Sequence, residues 1–523
     1  MMSSPKKLLP IGIETFEKIS SGRYYYVDKT PLLIKLLNTS EFVFLSRPRR
    51  FGKSLTMDTI AQLFAGRKEL FTGLYAEENW NWEETYPVIH LSFAGQPEKG
   101  NVPQLREMIG GFLEENARRF NIPIDEKVWE KGIGYAFRDL IQKTNEQHQK
   151  PVVILIDEYD KPIIDNLSDT QIAEEIRSIL TSLYSQLKAC SGLIRFAMLT
   201  GVSKFAQMSL FSGLNNLRDI SLEAEYSALC GYTQKELERF FAPELVGVDL
   251  EEVKRWYNGY NWRGESVYNP FDVLLFLASS EKEFLPHWFS TGGNTHFLFD
   301  LMKAQSFNML DIQQPIDPIS LMNSNDIGNL PVQSVLFQSG YLTIDQVIRD
   351  EDGVQYLLKF PNVEVRQSFT KGLLDYMVNT ATQPYLTDLK TALNQGDIEK
   401  MQMAIRSAFA ALPYQWTMNT PIPNYEGYWA SCFYMFFASR CVMMKAEDTS
   451  ARGRADLVVV QKGNVYIFEF KTSNNGDAQS ALAQIREKRY ADAYRANAQR
   501  IFEIGVSFNT EAKEVKFAVQ KVS

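Results

Sequence analysis

Phe42-Val43-Phe44-Leu45-Ser46-Arg47-Pro48-Arg49-Arg50-Phe51-Gly52-Lys53-Ser54-Leu55 is the stretch on which the reading of the fold turns. Four apolar residues of strand length lead into an arginine-rich loop, and the loop closes on Gly-Lys-Ser where a helical pattern, Ser54 to Ala65, begins. A phosphate cradle requires that order. Glycine lets the backbone approach the phosphates, lysine reaches the outer phosphates, serine coordinates magnesium, and the helix N-terminus offers free amides to the anion. Arg49, Arg50, Phe51, Gly52, Lys53, Ser54 and Leu55 are therefore assigned to the nucleotide, with Ser54 also a metal ligand. A full G-x-x-x-x-G-K-S pattern would place glycine at 47, where this chain has Arg47, so backbone freedom is lost at one end of the loop.

Outward from the loop, Val152 to Ile156 is an apolar strand ending in Asp157-Glu158. The first acid is positioned to hold magnesium and the second to polarise an attacking water, so both belong at the C-terminal edge of a strand. A further strand ends in Leu199-Thr200-Gly201-Val202-Ser203, whose Thr200 or Ser203 can sense a γ-phosphate. With Val88 to Phe93 these runs alternate with helical patterns at Pro103 to Phe120 and Asp169 to Leu187, which indicates a parallel sheet covered on both faces. The expected fold is α/β, with a P-loop NTPase domain over residues 1–225.

At 523 residues, 45% apolar and 23% charged, the chain has room for two to four cored domains. No stretch approaches 18 uninterrupted apolar residues and the N-terminus carries no signal-peptide run, so a cytoplasmic protein without membrane contact is expected. Cys190, Cys230, Cys432 and Cys441 show no pairing, and the four histidines are dispersed, so metal chemistry must come from carboxylates. Net charge is -8, yet residues 451–523 hold 12 Lys/Arg against 8 Asp/Glu, which permits a local nucleic-acid site. Residues 226–360 read as helical and winged-helix-like, with a capping box at Thr233 and Glu236 and a helix, turn and strand over Val332 to Ile344. Residues 361–420 read as a helical connector ending at Pro421 and Pro423.

Residues 421–523 form a second α/β domain by pattern. An apolar helix, Tyr425 to Met444, precedes strands at Asp456 to Val460 and Val465 to Phe470, joined by the turn signal Gln461-Lys462-Gly463-Asn464. A basic helix, about Ala478 to Ala498, and strands at Ile501 to Val506 and Val515 to Val519 follow. Alternation puts Glu469 and Lys471 on one strand face, and the hairpin can bring Asp456 alongside. Asp456, Glu469 and a carbonyl can then bind magnesium while Lys471 positions or deprotonates a water that attacks a phosphodiester. Glu426 is a carboxylate in an otherwise apolar helix, which is costly without a partner. Arg486, Lys488, Arg489 and Arg495 either track a phosphate backbone or form a solvated face.

Tyr25-Tyr26-Val27-Asp28-Lys29-Thr30, Arg47 to Leu55, Asp157-Glu158-Tyr159-Asp160 and Leu199 to Phe205 resemble the AAA-ATPase-like domain of a large bacterial family in which arginine usually replaces the first loop glycine. Arg49 and Arg50 stay open between phosphate contacts, fingers for a neighbouring subunit in a homo-oligomer, and solvated loop residues. The C-terminal succession resembles the PD-(D/E)xK nuclease superfamily. By that resemblance Asp456, Glu469 and Lys471 match the catalytic motif, Glu426 the acid of the first helix, and Gln484 and Tyr490 the accessory helix. The resemblance implies ATP, Mg2+ and DNA or RNA as ligands, with Glu158, Asp456, Glu469 and Lys471 as the catalytic set and Asp157 and Thr200 at the nucleotide. The expected function is a nuclease controlled by an ATPase, in defence or nucleic-acid processing. The alternative is a nucleotide-switched regulatory protein whose nuclease-like domain only binds.

Overall fold

The computed structural model describes residues 7–95, 101–167, 169–204, 216–288, 295–305, 314–322, 331–351, 353–377, 383–410, 433–438, 443–450, 453–472, 475–509 and 514–522, with residues 210, 307, 309 and 312. The chain divides into two compact units, Met1–His287 with Ile316–Tyr356 and Trp288–Pro315 with Leu357–Ser523.

In the first unit, β1 (Phe42–Ser46), β2 (Val88–Ser92), β3 (Val152–Asp157), β4 (Ile194–Gly201) and β5 (Arg218–Asp219) form a parallel sheet in the order β2-β3-β4-β1-β5. Every residue of β1 and β3 is buried, as strands covered on both faces must be. One face, with Phe42, Phe44, Ile154, Ile156 and Leu199, packs on the helices Val102–Arg119, Ile133–His148 and Thr170–Ala189. The other carries the helix Lys53–Phe64, whose Phe64 ring lies 5.9 Å from that of Phe196 in β4. The neighbours β1 and β4 connect in opposite directions, β1 to β2 and β4 to β5, and at such a reversal the C-terminal edge of an open α/β sheet binds ligands.

A satellite core forms around the short ladder of β6 (Tyr232–Thr233) and β7 (Val267–Tyr268). There Tyr25 and Val27 pack with Leu237, Phe241, Tyr257 and Phe276. Thr233 and Glu236 make the reciprocal capping box read from the sequence, and Glu236 also pairs with Lys29 at 2.7 Å, tying the N-terminal segment to this region. The helix Val332–Gln338 and the strands β8 (Thr343–Asp350) and β9 (Gly353–Lys359) follow.

The second unit holds a sheet in the order β10-β11-β12-β13-β14, made of β10 (Met443–Ser450), β11 (Gly453–Gln461), β12 (Asn464–Thr472), β13 (Arg500–Asn509) and β14 (Glu514–Lys521). Only β12 and β13 pair in parallel, and the helix Ala478–Lys488 runs between them. One face of β12 packs Phe468 and Phe470 against Phe437 and Phe433 of the helical stretch 433–438. The other meets the helix Ala478–Lys488 at Gly505, the register partner of Glu469. A Cβ at Gly505 would lie 2.0 Å from the Ala478 carbonyl, so only glycine permits this approach.

Two expectations are corrected. The helix read over Tyr425 to Met444 does not reach its end, because Met443–Ser450 is a strand paired antiparallel with β11; ladder pairing overrides a locally apolar run. The basic helix ends at Lys488, not near Ala498, because Arg489 turns left-handed at φ 51° and a 3-10 turn, Tyr490–Tyr494, follows. The expected boundary at Pro421 and Pro423 lies outside the described residues.

Candidate functional site

The loop after β1 is held open by its own backbone. Gly52 has φ 91°, and a Cβ there would meet nothing within 4 Å, so glycine serves conformation and not space. Arg50 adopts φ 68° despite its side chain, a strain typical of functional loops. Lys53 is buried and donates to the Arg47 carbonyl at 2.9 Å and the Pro48 carbonyl at 3.0 Å, so its ammonium spans the loop. Ser54, half-buried, stands in the first turn of the helix.

Arg47 points away from this cradle. Its guanidinium donates to the carbonyls of Ser46 and Ser221 at 2.8 Å and of Tyr226 at 3.3 Å, and lies 4.1 Å from the ring of Trp262. Burial pushes it down to about 10, which leaves it charged at neutral pH. Phe51 packs edge-on against Tyr260 and Trp262, so both ends of the loop are fastened to Trp262. Arg47→Gly, which completes the glycine pattern, should therefore cost stability, by at least about 3 kcal/mol from lost charged hydrogen bonds and ring contact. Denaturant unfolding checks this; an unchanged midpoint contradicts it.

Opposite the loop, Asp157 is 1% exposed and accepts from the Thr200 hydroxyl and from the Glu158 amide at 3.0 Å. Glu158 is left-handed at φ 53°. Burial raises its carboxyl above the ordinary range, with Lys53 and Arg49 opposing and Asp157 and Asp160 reinforcing. Ser203, the other sensor candidate, donates to Asp160 at 2.8 Å. Arg50 is exposed, its guanidinium 4.8 Å from the Phe271 ring. A cavity of about 70 Å³ adjoins the loop, walled by Tyr25, Tyr26, Phe51, Leu55, Leu229 and Tyr232 among others. A larger cleft, about 570 Å³, lies between the helix Lys53–Phe64, with Asp58, Ala61 and Gln62, and the edge strand β2, with Val88 and His90; its Arg119 and Lys150 already donate to the Val88 and Thr85 carbonyls.

One buried acid beside the loop escaped the sequence reading. Asp272 is 1% exposed, and neither carboxylate oxygen has a hydrogen-bond partner among the described residues. In sequence it looks like an ordinary first-turn acid behind the cap Asn269. Burial pushes it up to about 8, with Arg50 opposing. The folded chain thus keeps a proton that the unfolded chain releases near the ordinary value of 3.8, and stability falls as pH rises between the two. Asp272→Asn should flatten that slope and gain about 1–3 kcal/mol over wild type above pH 8. Thermal melting across pH 5 to 9 measures it; parallel curves for the two proteins contradict it.

In the second unit, Leu457 pairs with Phe468, which sets Asp456 beside Glu469 on the face turned to the helix Ala478–Lys488. Asp456 accepts the Phe470 amide at 2.8 Å. Glu469, 2% exposed, accepts from Gln484, and the Lys471 ammonium is 3.8 Å from Glu469 Oε1. Asp456, Glu469, Lys471 and Gln484 therefore converge. Tyr490 lies in the 3-10 turn, packed in an apolar cluster with Val458, Val465, Ile467 and Ile485. Glu426 lies outside the described residues. Arg495 pairs with Asp492 at 3.0 Å, and Arg486 and Arg495 both act on the buried Glu503.

Residues 10–211 match the family described as "Predicted AAA-ATPase", and residues 424–518 match the "PD-(D/E)XK nuclease superfamily". A relative from Azotobacter chroococcum mcd 1, "Uncharacterized protein in vnfD 5'region", is 43% identical over 513 residues, 98% of each chain. The chain belongs to the AAA-ATPase-like family and carries a C-terminal PD-(D/E)XK nuclease superfamily domain. The open Gly52 turn, the Lys53 ammonium across the loop and the Asp157-Glu158 pair opposite fit a magnesium nucleotide in the AAA-ATPase-like domain. In the PD-(D/E)XK domain, the Asp456 and Glu469 carboxylates on one face fit a divalent cation. Among the described residues, no group of three or more His, Cys, Asp or Glu side chains gathers into a metal cluster, and no helix is long and apolar enough to cross a membrane.

Proposed function

We propose that the AAA-ATPase-like domain binds and hydrolyses ATP with Mg2+ and thereby controls a Mg2+-dependent nuclease in the PD-(D/E)XK domain, acting on DNA or RNA in the cytoplasm. The observation that carries the reading is the convergence of Asp456, Glu469, Lys471 and Gln484 on one sheet face in a chain that also holds the Lys53 and Asp157-Glu158 cradle. In the first site, Lys53 and the amides of residues 50–54 hold phosphates, Ser54 and Asp157 hold the cation, Glu158 polarises water, and Thr200 fixes Asp157. In the second site, Asp456 and Glu469 hold the cation, Gln484 orients Glu469, and Lys471 orients or deprotonates the attacking water. The bound cation would supply charge stabilisation to the phosphodiester.

The finer division at residues 225, 360 and 420 belongs to this proposal, as does a role in nucleic-acid processing or defence, which rests on the domain combination alone. Purified protein incubated with DNA and with RNA, with and without Mg2+, tests the nuclease. Mg2+-dependent cleavage supports it; binding without cleavage favours a nucleotide-switched binding protein instead.

A further inference from the structure

Asp160 is the acid that the scheme above does not use. It is 1% exposed, lies three residues beyond the end of β3, and reaches across to the end of β4. Its Oδ2 accepts the Ser203 amide at 2.6 Å, the Ser203 hydroxyl at 2.8 Å and the Val202 amide at 3.2 Å. Burial raises its carboxyl above the ordinary range, and the donors from Ser203 and Val202 oppose that push. Beside it, Tyr159 donates its amide to the Thr200 carbonyl at 3.0 Å and its hydroxyl to the Ser203 carbonyl at 2.9 Å. Tyr184 holds the Tyr159 carbonyl at 3.0 Å. The approach is close: a Cβ at Gly201 would sit 2.5 Å from Asp160 Oδ1 and 2.6 Å from the Tyr159 ring.

The residue trapped between β3 and this clamp is Glu158. Strand alternation would turn its side chain to the face opposite Asp157. The left-handed backbone at φ 53° breaks that alternation, at a cost of about 1–2 kcal/mol for a non-glycine residue. Such strain persists only where the surroundings over-determine it, and here they do so from β4, the strand that also carries Thr200.

We propose that Asp160 is a positioning residue for ATP hydrolysis, locking the turn after β3 to the end of β4 so that Glu158 is turned to the phosphate loop. The proposal rests on the ATPase reading of that loop. Asp160→Asn can keep its oxygen toward Ser203, but it loses the charge that gathers these donors and sets its own NH2 against the Val202 amide, which Oδ1 accepts at 3.3 Å. Its ATP affinity should stay within about threefold of wild type while kcat falls at least about 10-fold.

The deciding comparison is with Glu158→Gln. If Asp160 acts through Glu158, the double variant turns over no more slowly than Glu158→Gln alone. Amide hydrogen exchange on the nucleotide-free variant should quicken at residues 157–160 and 200–203 and stay unchanged at residues 50–54. Ser203→Ala, which removes one of the donors, should show a smaller loss of the same kind. Additive losses in the double variant, or exchange unchanged at residues 157–160, overturn the proposal. Failure of the ATPase reading is a separate result, seen as no turnover by the wild-type chain, and the exchange measurement decides on Asp160 in either case.

Discussion

Lys53→Met should lower ATP turnover by about 10²-fold or more and weaken ATP binding in parallel. The ammonium is buried, and among the described residues its hydrogen bonds go to the loop carbonyls of Arg47 and Pro48. Those carbonyls can hold a cation but do not explain why a lysine is kept there at a desolvation cost. A polyphosphate entering the loop supplies the compensating charge, and the ammonium then transfers from carbonyls to phosphate oxygens. Methionine keeps the aliphatic stem, so the loop should stay folded and thermal melting should shift little. Steady-state turnover and equilibrium binding of ATP measure the effect. Turnover within threefold of wild type would show that the loop does not handle phosphates.

The largest effect in the second unit should come from Asp456→Asn and Lys471→Ala, each removing nucleic-acid cleavage by at least about 10²-fold while leaving ATP turnover as it was. Asparagine is the informative change at 456, because its remaining oxygen can still accept the Phe470 amide and keep β11 and β12 in register. What is lost is the charge facing Glu469, and with it half of the carboxylate pair. Lys471 is the complementary case, since its ammonium stands 3.8 Å from Glu469 on the same strand face. Gel assays on DNA and RNA with Mg2+, run beside ATP turnover on the same preparations, separate the two sites. Cleavage that survives in both variants would remove the nuclease assignment.

Much of this architecture is legible in the sequence because periodicity and chemistry coincide. Val152 to Ile156 is apolar throughout and the strand Val152–Asp157 is buried throughout, and the Glu469-Lys471 spacing places both on one face as a strand must. Gln484 was reachable only through family resemblance, since nothing in its own helix marks it; Gly505, which lets that helix descend onto the sheet, is its structural counterpart. Backbone conformation was not legible. Glu158, Arg50 and Arg489 are all left-handed without being glycine, and each redirects the chain at a point that propensity would continue. The direction of Arg47 was equally hidden, because its partners at Ser221, Tyr226 and Trp262 are about 175 to 215 positions away in sequence and define its role only once folded. The same holds for Asp272, whose burial follows from packing and not from its neighbours in sequence.

Control of one site by the other is most directly tested by the initial rate of nucleic-acid cleavage at fixed Mg2+, with and without ATP, for the wild-type chain, Lys53→Met and Asp456→Asn. ATP should change the wild-type rate at least about 5-fold, Lys53→Met should cleave at one rate whether or not ATP is present, and Asp456→Asn should not cleave in either condition. A wild-type chain that cleaves at the same rate with and without ATP, matching Lys53→Met, would contradict such control.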